Sequence, residues 1–167
     1  SEKARQTTTA HTGSLAGSDG TFNALFKKYG VIRVDDMEDL VNTCLVFSTL
    51  EKPLKNKNLA IMNVSGGEAA ISADVSQLQG ASLANLSEDT LRQIKEMLPG
   101  YATPNNPLDM TATLVFEINK YKSAVKLMME DENVGVIAMG HNPPEKIPER
   151  DREVDFGFAA ALAEINR

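Results

Sequence analysis

Tryptophan is absent from this 167-residue sequence, cysteine occurs once and histidine occurs twice. A single cysteine cannot form a disulfide within the chain, which excludes a disulfide-held fold, and we expect an intracellular, cytoplasmic protein. Aromatic residues make up only 5% of the sequence, which leaves few side chains that could stack on a flavin. An FMN-binding function is therefore the least favoured of the functions considered below. We expect Cys44 to be a small apolar residue on the buried face of a helix.

No basic run offsets the net charge of −6, and no apolar stretch is long enough to span a bilayer. Nucleic-acid binding needs clustered lysine and arginine, so we expect neither a nucleic-acid partner nor a membrane partner. The histidines and the cysteine lack metal-ligand spacing, so we expect no metal site. The sequence contains 42% apolar and 24% charged residues, an ordinary globular mixture for one domain.

Residues 1–17 contain one leucine among many serine, threonine, glycine and charged residues. Such a segment buries too little apolar surface to fold alone, so we expect a flexible arm ahead of one domain over residues 18–167. The arm carries His11. From its context alone a solvated histidine is the favoured interpretation, although a neutral imidazole between small residues is suited to attack a phosphoryl or acyl group.

Helical and strand patterns alternate after the arm. We expect helices over 18–30, 36–51, 68–79, 87–98, 117–131 and 152–166, and strands over 31–34, 59–64, 81–83 and 134–139. Residues 101–113 are expected to be a turn-rich connection. The alternation predicts an α/β fold with an open, mostly parallel sheet and helices on both faces.

Ser65, Gly66 and Gly67 directly follow the apolar run at 59–64 and precede a helix. Ligands collect at the carboxyl ends of parallel strands, and glycines let backbone amides approach an anion at the positive end of a helix. From the residues alone a tight strand-to-helix turn is the favoured interpretation, with a phosphate or carboxylate site as the alternative. His141, in the loop after 134–139, is expected to be a turn residue.

Four segments occur in order along the chain: HTGSLAG (11–17), GVIRVDDMEDL (30–40), NVSGGEAAISAD (63–74) and NPLDMTA (106–112). Together they resemble the NDP-forming acyl-CoA synthetases, the relatives of succinyl-CoA synthetase and of the ADP-forming acetyl-CoA synthetases. The resemblance implies an acid-thiol ligase that joins a small carboxylic acid to CoA, with an enzyme-bound phosphohistidine as the phosphoryl carrier. It also implies that the chain is the last flavodoxin-type unit of a larger enzyme and is inactive alone.

The resemblance assigns the phosphorylated residue as His11. It places the phosphate at a helix start that matches four consecutive residues: Ser65, Gly66, Gly67 and Glu68. Relatives commonly have proline or glycine at the position of Glu68. If the Glu68 carboxylate points inward, it repels a phosphate; if it points outward, it is a favourable acidic residue in the first turn of the helix. Supporting residues are expected in the same motifs: Thr12, Gly13, Ser14, Asn106 and Asp109. Asn106 and Asp109 are expected mainly to form a turn and the entry to a helix.

This domain alone is expected to bind no cofactor. The resemblance implies that the parent enzyme uses ATP or GTP, Mg²⁺ and CoA, and that its CoA-binding and ATP-grasp domains are the partners of this chain. The acid, the choice between ADP and GDP, and an oligomeric assembly stay open. The alternative function is a non-catalytic flavodoxin-like binding or regulatory module in which the arm is only a linker.

Overall fold

A computed structural model describes Lys3, residues 18–50, 53–112 and 117–141, and also Ala160 and Ala163. The chain divides into two compact units, Ser1–Lys52 and Pro53–Arg167, and each is described by itself. The boundary expected after Gly17 stays a prediction. Apart from Lys3, the expected arm lies outside the described residues, so its flexibility stays a prediction.

Residues 18–50 of the first unit contain two helices, α1 (Asp19–Tyr29) and α2 (Met37–Thr49). Helix α1 follows Ser18 and ends at Gly30, whose left-handed backbone (φ 66°) lets its amide bond to the carbonyl of Phe26. Helix α2 is capped by Asp36, whose side chain accepts a hydrogen bond from the amide of Asp39 at 2.8 Å. Both helices were expected from the sequence.

The strand expected at residues 31–34 is wrong. These residues form an irregular connection between α1 and α2, and Arg33 forms an ion pair with Asp19 of α1 at 2.6 Å. Their β-branched side chains favour extended backbone, but no strand within residues 18–50 is available to pair with them. A strand pattern without a neighbouring strand therefore gives no sheet.

The burial expected for Cys44 is also wrong, because Cys44 is exposed. Neither α1 nor α2 has a buried residue. Large apolar side chains on both helices are exposed as well, among them Tyr29 and Phe47. An apolar helix face becomes buried only where another layer packs on it, and residues 18–50 provide no sheet for α2 to cover.

The described residues of the second unit form a three-stranded parallel sheet of β1 (Leu59–Asn63), β2 (Leu108–Asp109) and β3 (Val136–Met139). The strand order is β2-β1-β3, with β1 in the centre. Met62 is paired in register with Leu108 on one side and with Met139 on the other. The open parallel sheet confirms the expected α/β fold class.

Residues 53–112 and 117–141 also contain three helices: α3 (Gly66–Leu78), α4 (Glu88–Met97) and α5 (Ile118–Glu130). Each helix agrees with an expected one to within a few residues. Apolar side chains from the strands, from α4 and α5, and from the loop after β2 form one core. Its largest fully buried members are Met62, Ile94, Leu108, Met110 and Met128.

In the second unit, one expected strand and one expected connection differ from the structure. Residues 81–83 form only an isolated parallel bridge, between Leu83 and Leu59. The connection expected at 101–113 contains β2. The sequence could not reveal β2, because a strand of two residues has no measurable periodicity. The helix expected at 152–166 lies outside the described residues except for Ala160 and Ala163, which are helical.

Among the described residues, no helix has both the length and the apolar character needed to cross a bilayer.

Candidate functional site

The candidate site lies at the carboxyl edge of the parallel sheet in the second unit. Asn63, the last residue of β1, is paired in register with Asp109, the last residue of β2. Gly140 follows β3, and its amide donates a hydrogen bond to the carbonyl of Met62 at 2.8 Å. The ends of all three strands therefore share the edge at which α/β sheets bind ligands.

The turn that joins β1 to α3 is capped by its own side chains. Ser65 has extended backbone, and its hydroxyl accepts a hydrogen bond from the amide of Glu68 at 3.3 Å. In return, the half-buried carboxylate of Glu68 accepts one from the amide of Val64 at 3.3 Å. This reciprocal arrangement resembles a capping box. Glu68 thus folds back onto the turn and brings its negative charge close to the start of α3.

The amides of Gly66 and Gly67 open helix α3. Both residues are exposed, and no acceptor among the described residues takes a hydrogen bond from either amide. A side-chain methyl group at Gly67 would have no heavy atom within 4 Å. Free amides at the positive end of a 13-residue helix are suited to hold an anion.

Asp109 places a second carboxylate at this helix start. A methyl group at Gly66 would lie 3.0 Å from the Oδ2 atom of Asp109. The other carboxylate oxygen, Oδ1, accepts a hydrogen bond from the amide of Thr111 at 2.8 Å. Thr111 has the left-handed φ of 60°, which is uncommon for a β-branched residue. The loop after β2 is therefore shaped around the Asp109 side chain.

The side chain of Asn106 hydrogen-bonds to three backbone groups of the second unit. Its Oδ1 atom accepts a hydrogen bond from the amide of Ile61 at 2.8 Å. Its Nδ2 atom donates to the carbonyls of Leu59 at 2.8 Å and Ala84 at 2.9 Å. Both hydrogens of the amide nitrogen are thereby used, so Asn106 has no donor left for a ligand.

Two buried polar residues at this edge were missed by the sequence analysis. Asn63 is buried, and its Oδ1 atom has no hydrogen-bond partner among the described residues. Burial, together with the charges of Asp109 and Glu68, raises the pKa of the buried Tyr121 phenol above its ordinary value. Asn63 could have been found as the polar residue that interrupts the apolar run 59–64. The helical pattern of α5 gave no reason to separate Tyr121 from the core.

The other predicted site residues are not placed by the structure. His11, Thr12, Gly13 and Ser14 lie outside the described residues, so their roles stay predictions. His141 is exposed, directly after Gly140 at the end of β3. Within the described part of the chain, no group of three or more histidine, cysteine, aspartate or glutamate residues could hold a metal ion.

Known proteins that are similar in sequence to this chain are CoA ligases. The model of the succinyl-CoA ligase like flavodoxin domain family matches residues 1–47. The chain is 35% identical over 167 residues to the alpha subunit of the ADP-forming acetate-CoA ligase II of Pyrococcus furiosus. It is 35% identical over 137 residues to the ADP-forming acetate-CoA ligase I of Archaeoglobus fulgidus.

These alignments include most of this chain but a minor part of each relative. They cover 99% of the chain and 35% of the Pyrococcus subunit, and 82% of the chain and 19% of the Archaeoglobus enzyme. The fold is similar to that of the dinucleotide-forming acetyl-coenzyme A synthetase 1 of Ca. Korarchaeum cryptofilum, solved with phosphate and ADP. The TM-score is 0.78 at 22% identity, over 100% of this chain and 35% of that chain.

Proposed function

Because the chain belongs to the NDP-forming acyl-CoA synthetase family, we propose that it supplies the phosphohistidine and part of the phosphate site of such an enzyme. The parent reaction would convert a carboxylic acid, CoA and a nucleoside triphosphate to acyl-CoA, nucleoside diphosphate and phosphate. CoA-binding and ATP-grasp domains of the parent enzyme would supply the remaining sites, including those for ATP or GTP, Mg²⁺ and CoA. The chain alone is then inactive.

His11 is the proposed phosphoryl carrier. An unprotonated imidazole nitrogen attacks the γ-phosphorus of the nucleoside triphosphate, so that an N–P bond forms while the P–O bond to the departing diphosphate breaks. The carboxylate of the acid then takes the phosphoryl group, giving an acyl phosphate and returning the lone pair to His11. The thiolate of CoA finally displaces phosphate at the acyl carbon.

The observation that carries this proposal is the open start of α3. The amides of Gly66 and Gly67 are exposed and lack an acceptor among the described residues, at the strand edge where ligands collect. A phosphohistidine carries close to two negative charges near neutral pH. A favourable helix-end interaction contributes about 0.3 to 2 kcal/mol. The start of α3 is thus suited to hold the phosphoryl group of His11.

One observation favours the alternative of a non-catalytic binding or regulatory module. The carboxylates of Glu68 and Asp109 lie at the same helix start, and both would repel a phosphate dianion. A module that keeps the fold but has lost phosphoryl transfer would tolerate these two charges. A catalytic domain must overcome them with the helix dipole and with cationic groups from other parts of the enzyme.

Phosphorylation of the full-length enzyme separates the two functions. Incubation with ATP labelled at the γ-phosphate should give acid-labile, base-stable label on the wild type and none on His11→Ala. The exposed His141 offers a matched control, since His141→Ala should keep the label. If the wild type takes up no label, or His11→Ala keeps it, the carrier role is rejected and the non-catalytic module is favoured.

A further inference from the structure

Most of the large apolar side chains that are exposed among the described residues belong to the first unit. Helix α1 exposes Phe22, Leu25 and Tyr29 at helical spacing, and helix α2 exposes a longer row. The row on α2 consists of Met37, Leu40, Val41, Cys44 and Leu45. No residue within 18–50 is buried. Apolar rows of this length mark a surface that binds another part of a protein.

Neither helix is long enough to be stable without such a partner. Helix α1 has 11 residues and α2 has 13, and isolated helices below about 12 to 15 residues are marginal in water. The two helices contribute no buried residue to each other. The ion pair between Arg33 and Asp19 is exposed and therefore stabilises them little. The stability of α1 and α2 has to come from apolar packing against another layer.

The connection between the two helices has a strand-forming sequence and free backbone groups. Val31, Ile32 and Val34 are β-branched, which favours strands. The amides of Ile32, Arg33 and Val34 donate no hydrogen bond to any described residue. A segment of this kind can add as a strand to the exposed edge of a sheet. The layer that covers the helices is therefore expected to have a free sheet edge.

The family match identifies a layer of this kind. Residues 1–47 match a flavodoxin domain family, and such domains are parallel sheets covered by helices on both faces. Residues 18–50 contain two helices and no strand, so the sheet that belongs with these helices is not among them. This chain spans 35% of the length of the Pyrococcus subunit, so a relative contains ample further sequence for a sheet.

We propose that residues 19–49 dock as one helix-strand-helix unit on the parallel sheet of a flavodoxin-type domain in another part of the parent enzyme. Residues 31–34 add to the free edge of that sheet as a strand, and the apolar rows of α1 and α2 cover its apolar surface. The partner is recognised by this apolar surface and this edge and not by charge. The inference requires the parent enzyme but not the phosphorylation of His11.

Cys44 reports on this surface, because it lies in the apolar row of α2 and is exposed in this chain. Its modification by N-ethylmaleimide, followed by mass spectrometry, can be compared between this chain and the full-length enzyme. Modification should be about a hundredfold slower in the full-length enzyme, since packed elements open rarely. Hydrogen exchange at the amides of residues 32–34 should slow in the same way.

Two variants of the full-length enzyme test the packing of α2. Val41→Asp places a charge in the apolar row and should restore fast modification of Cys44, because an unpaired buried charge is strongly unfavourable. Asn42→Asp adds the same charge at the next position, which is also exposed in this chain but lies outside the row, and should leave Cys44 protected. Strand β1 should stay protected from hydrogen exchange in both variants, which distinguishes local undocking from unfolding. Equal effects of the two variants on Cys44 would overturn the proposal.

The wild-type measurements decide the proposal even if a variant does not fold. Fast modification of Cys44 in the full-length enzyme rejects the docking. Slow modification in this chain alone also rejects it: the cover is then a second copy if the rate depends on chain concentration, and the second unit if it does not. A protected Cys44 with fast exchange at residues 32–34 rejects the added strand. Labelling of His11 by ATP on the same preparations tests the proposed function separately.

Discussion

The side chain of Asn106 occupies the position of a strand residue beside Leu59, whose carbonyl oxygen accepts a hydrogen bond from Asn106 Nδ2 at 2.8 Å. Along one edge of β1, Leu59 bonds to the segment around Leu83, Ile61 bonds to the Asn106 side chain, and Asn63 bonds to the loop after β2. Asn106 therefore joins two short strand segments that could not cover β1 separately.

Replacement of Asn106 by alanine should destabilise the second unit by about 2 to 4 kcal/mol. The change removes three hydrogen bonds and takes away the partner of the Ile61 amide and a partner of the Ala84 carbonyl, whereas the Leu59 carbonyl keeps its bond from the Ala84 amide. A buried unpaired group costs about 1 to 3 kcal/mol. Urea unfolding of the chain, followed by circular dichroism, measures the difference.

The neighbouring amide supplies the control for this change. Asn105 is exposed, so Asn105→Ala should alter the free energy of unfolding by less than about 0.5 kcal/mol. Equal effects of the two variants would show that Asn106 is no more important to the sheet than a surface residue.

Asp131 should make the stability of the second unit depend on pH in the acid range. Burial disfavours its charged form, but backbone hydrogen bonds from Ser87 and Asn133 favour the carboxylate, and the net effect lowers the pKa of Asp131. A folded-state pKa below the unfolded value gives stability that is complete above the unfolded pKa. This stability is lost as the pH falls through the folded pKa.

Asp131→Asn should therefore lower the free energy of unfolding at pH 7 by about 1 to 3 kcal/mol. The gap between wild type and variant should begin to close below about pH 4, the ordinary aspartate pKa. It should vanish only below the lowered folded-state pKa, where the folded wild-type carboxyl group is neutral as well. Asp74→Asn, on an exposed position of α3, removes the same charge as a control. A gap that stays constant between pH 7 and pH 3 would disprove the role of the ionised form.

The parts of the fold that the sequence predicted are those with a strong local signal. Helices α3, α4 and α5 and strands β1 and β3 combine caps or apolar runs with enough length to show a period. Strand β2 was missed because it has only two residues, and the Asn106 side-chain amide makes hydrogen bonds to β1 that the backbone of a longer strand would otherwise make. The strand predicted at 31–34 and the burial predicted for Cys44 were wrong for a different reason. Strand pairing and side-chain burial both depend on a neighbouring element, which a local sequence pattern does not specify.

Only one part of the candidate site, the start of helix α3, could be predicted from the sequence. The order strand, Gly66-Gly67, helix indicated where an anion could bind, and the structure places the free amides there. The nearness of Asp109 to Gly66 depends on the register of β2 with β1. No sequence pattern specified that register, because a strand of two residues could pair at several positions along its neighbour.

The two glycines at the start of α3 should respond differently to alanine. Gly67→Ala places a methyl group in open space, so the lower entropy of the unfolded chain should stabilise the protein by about 0.4 to 1 kcal/mol. Gly66→Ala places the methyl group 3.0 Å from Asp109 Oδ2. Asp109 must shift to make room for this methyl group, but the Thr111 amide bonds to the other oxygen of its carboxylate at 2.8 Å. The cost of that shift should cancel part of the stabilisation expected from the lower entropy of the unfolded chain. Thermal unfolding of the two variants compares them, and a larger gain for Gly66→Ala would contradict this account of the Asp109 contact.

Inorganic phosphate should bind more tightly to the start of α3 when Asp109 loses its charge. Asp109→Asn keeps an oxygen for the Thr111 amide but removes a negative charge beside Gly66. Repulsion of a phosphate dianion by this carboxylate should weaken binding by about three- to tenfold. A titration at pH 8, followed by the NMR signals of the Gly66 and Gly67 amides, measures the affinity.

The titration separates a local effect from the effect of net charge. Asp74→Asn removes one charge from the same helix at a position beyond its first turn, so it should leave the affinity nearly unchanged. Equal gains from the two variants would mean that phosphate responds only to the overall charge of −6. If neither amide signal moves in any variant, the start of α3 does not hold phosphate in this chain. The affinity of Asp109→Asn should also fall as salt is added, because screening weakens the attraction between the dianion and the helix end.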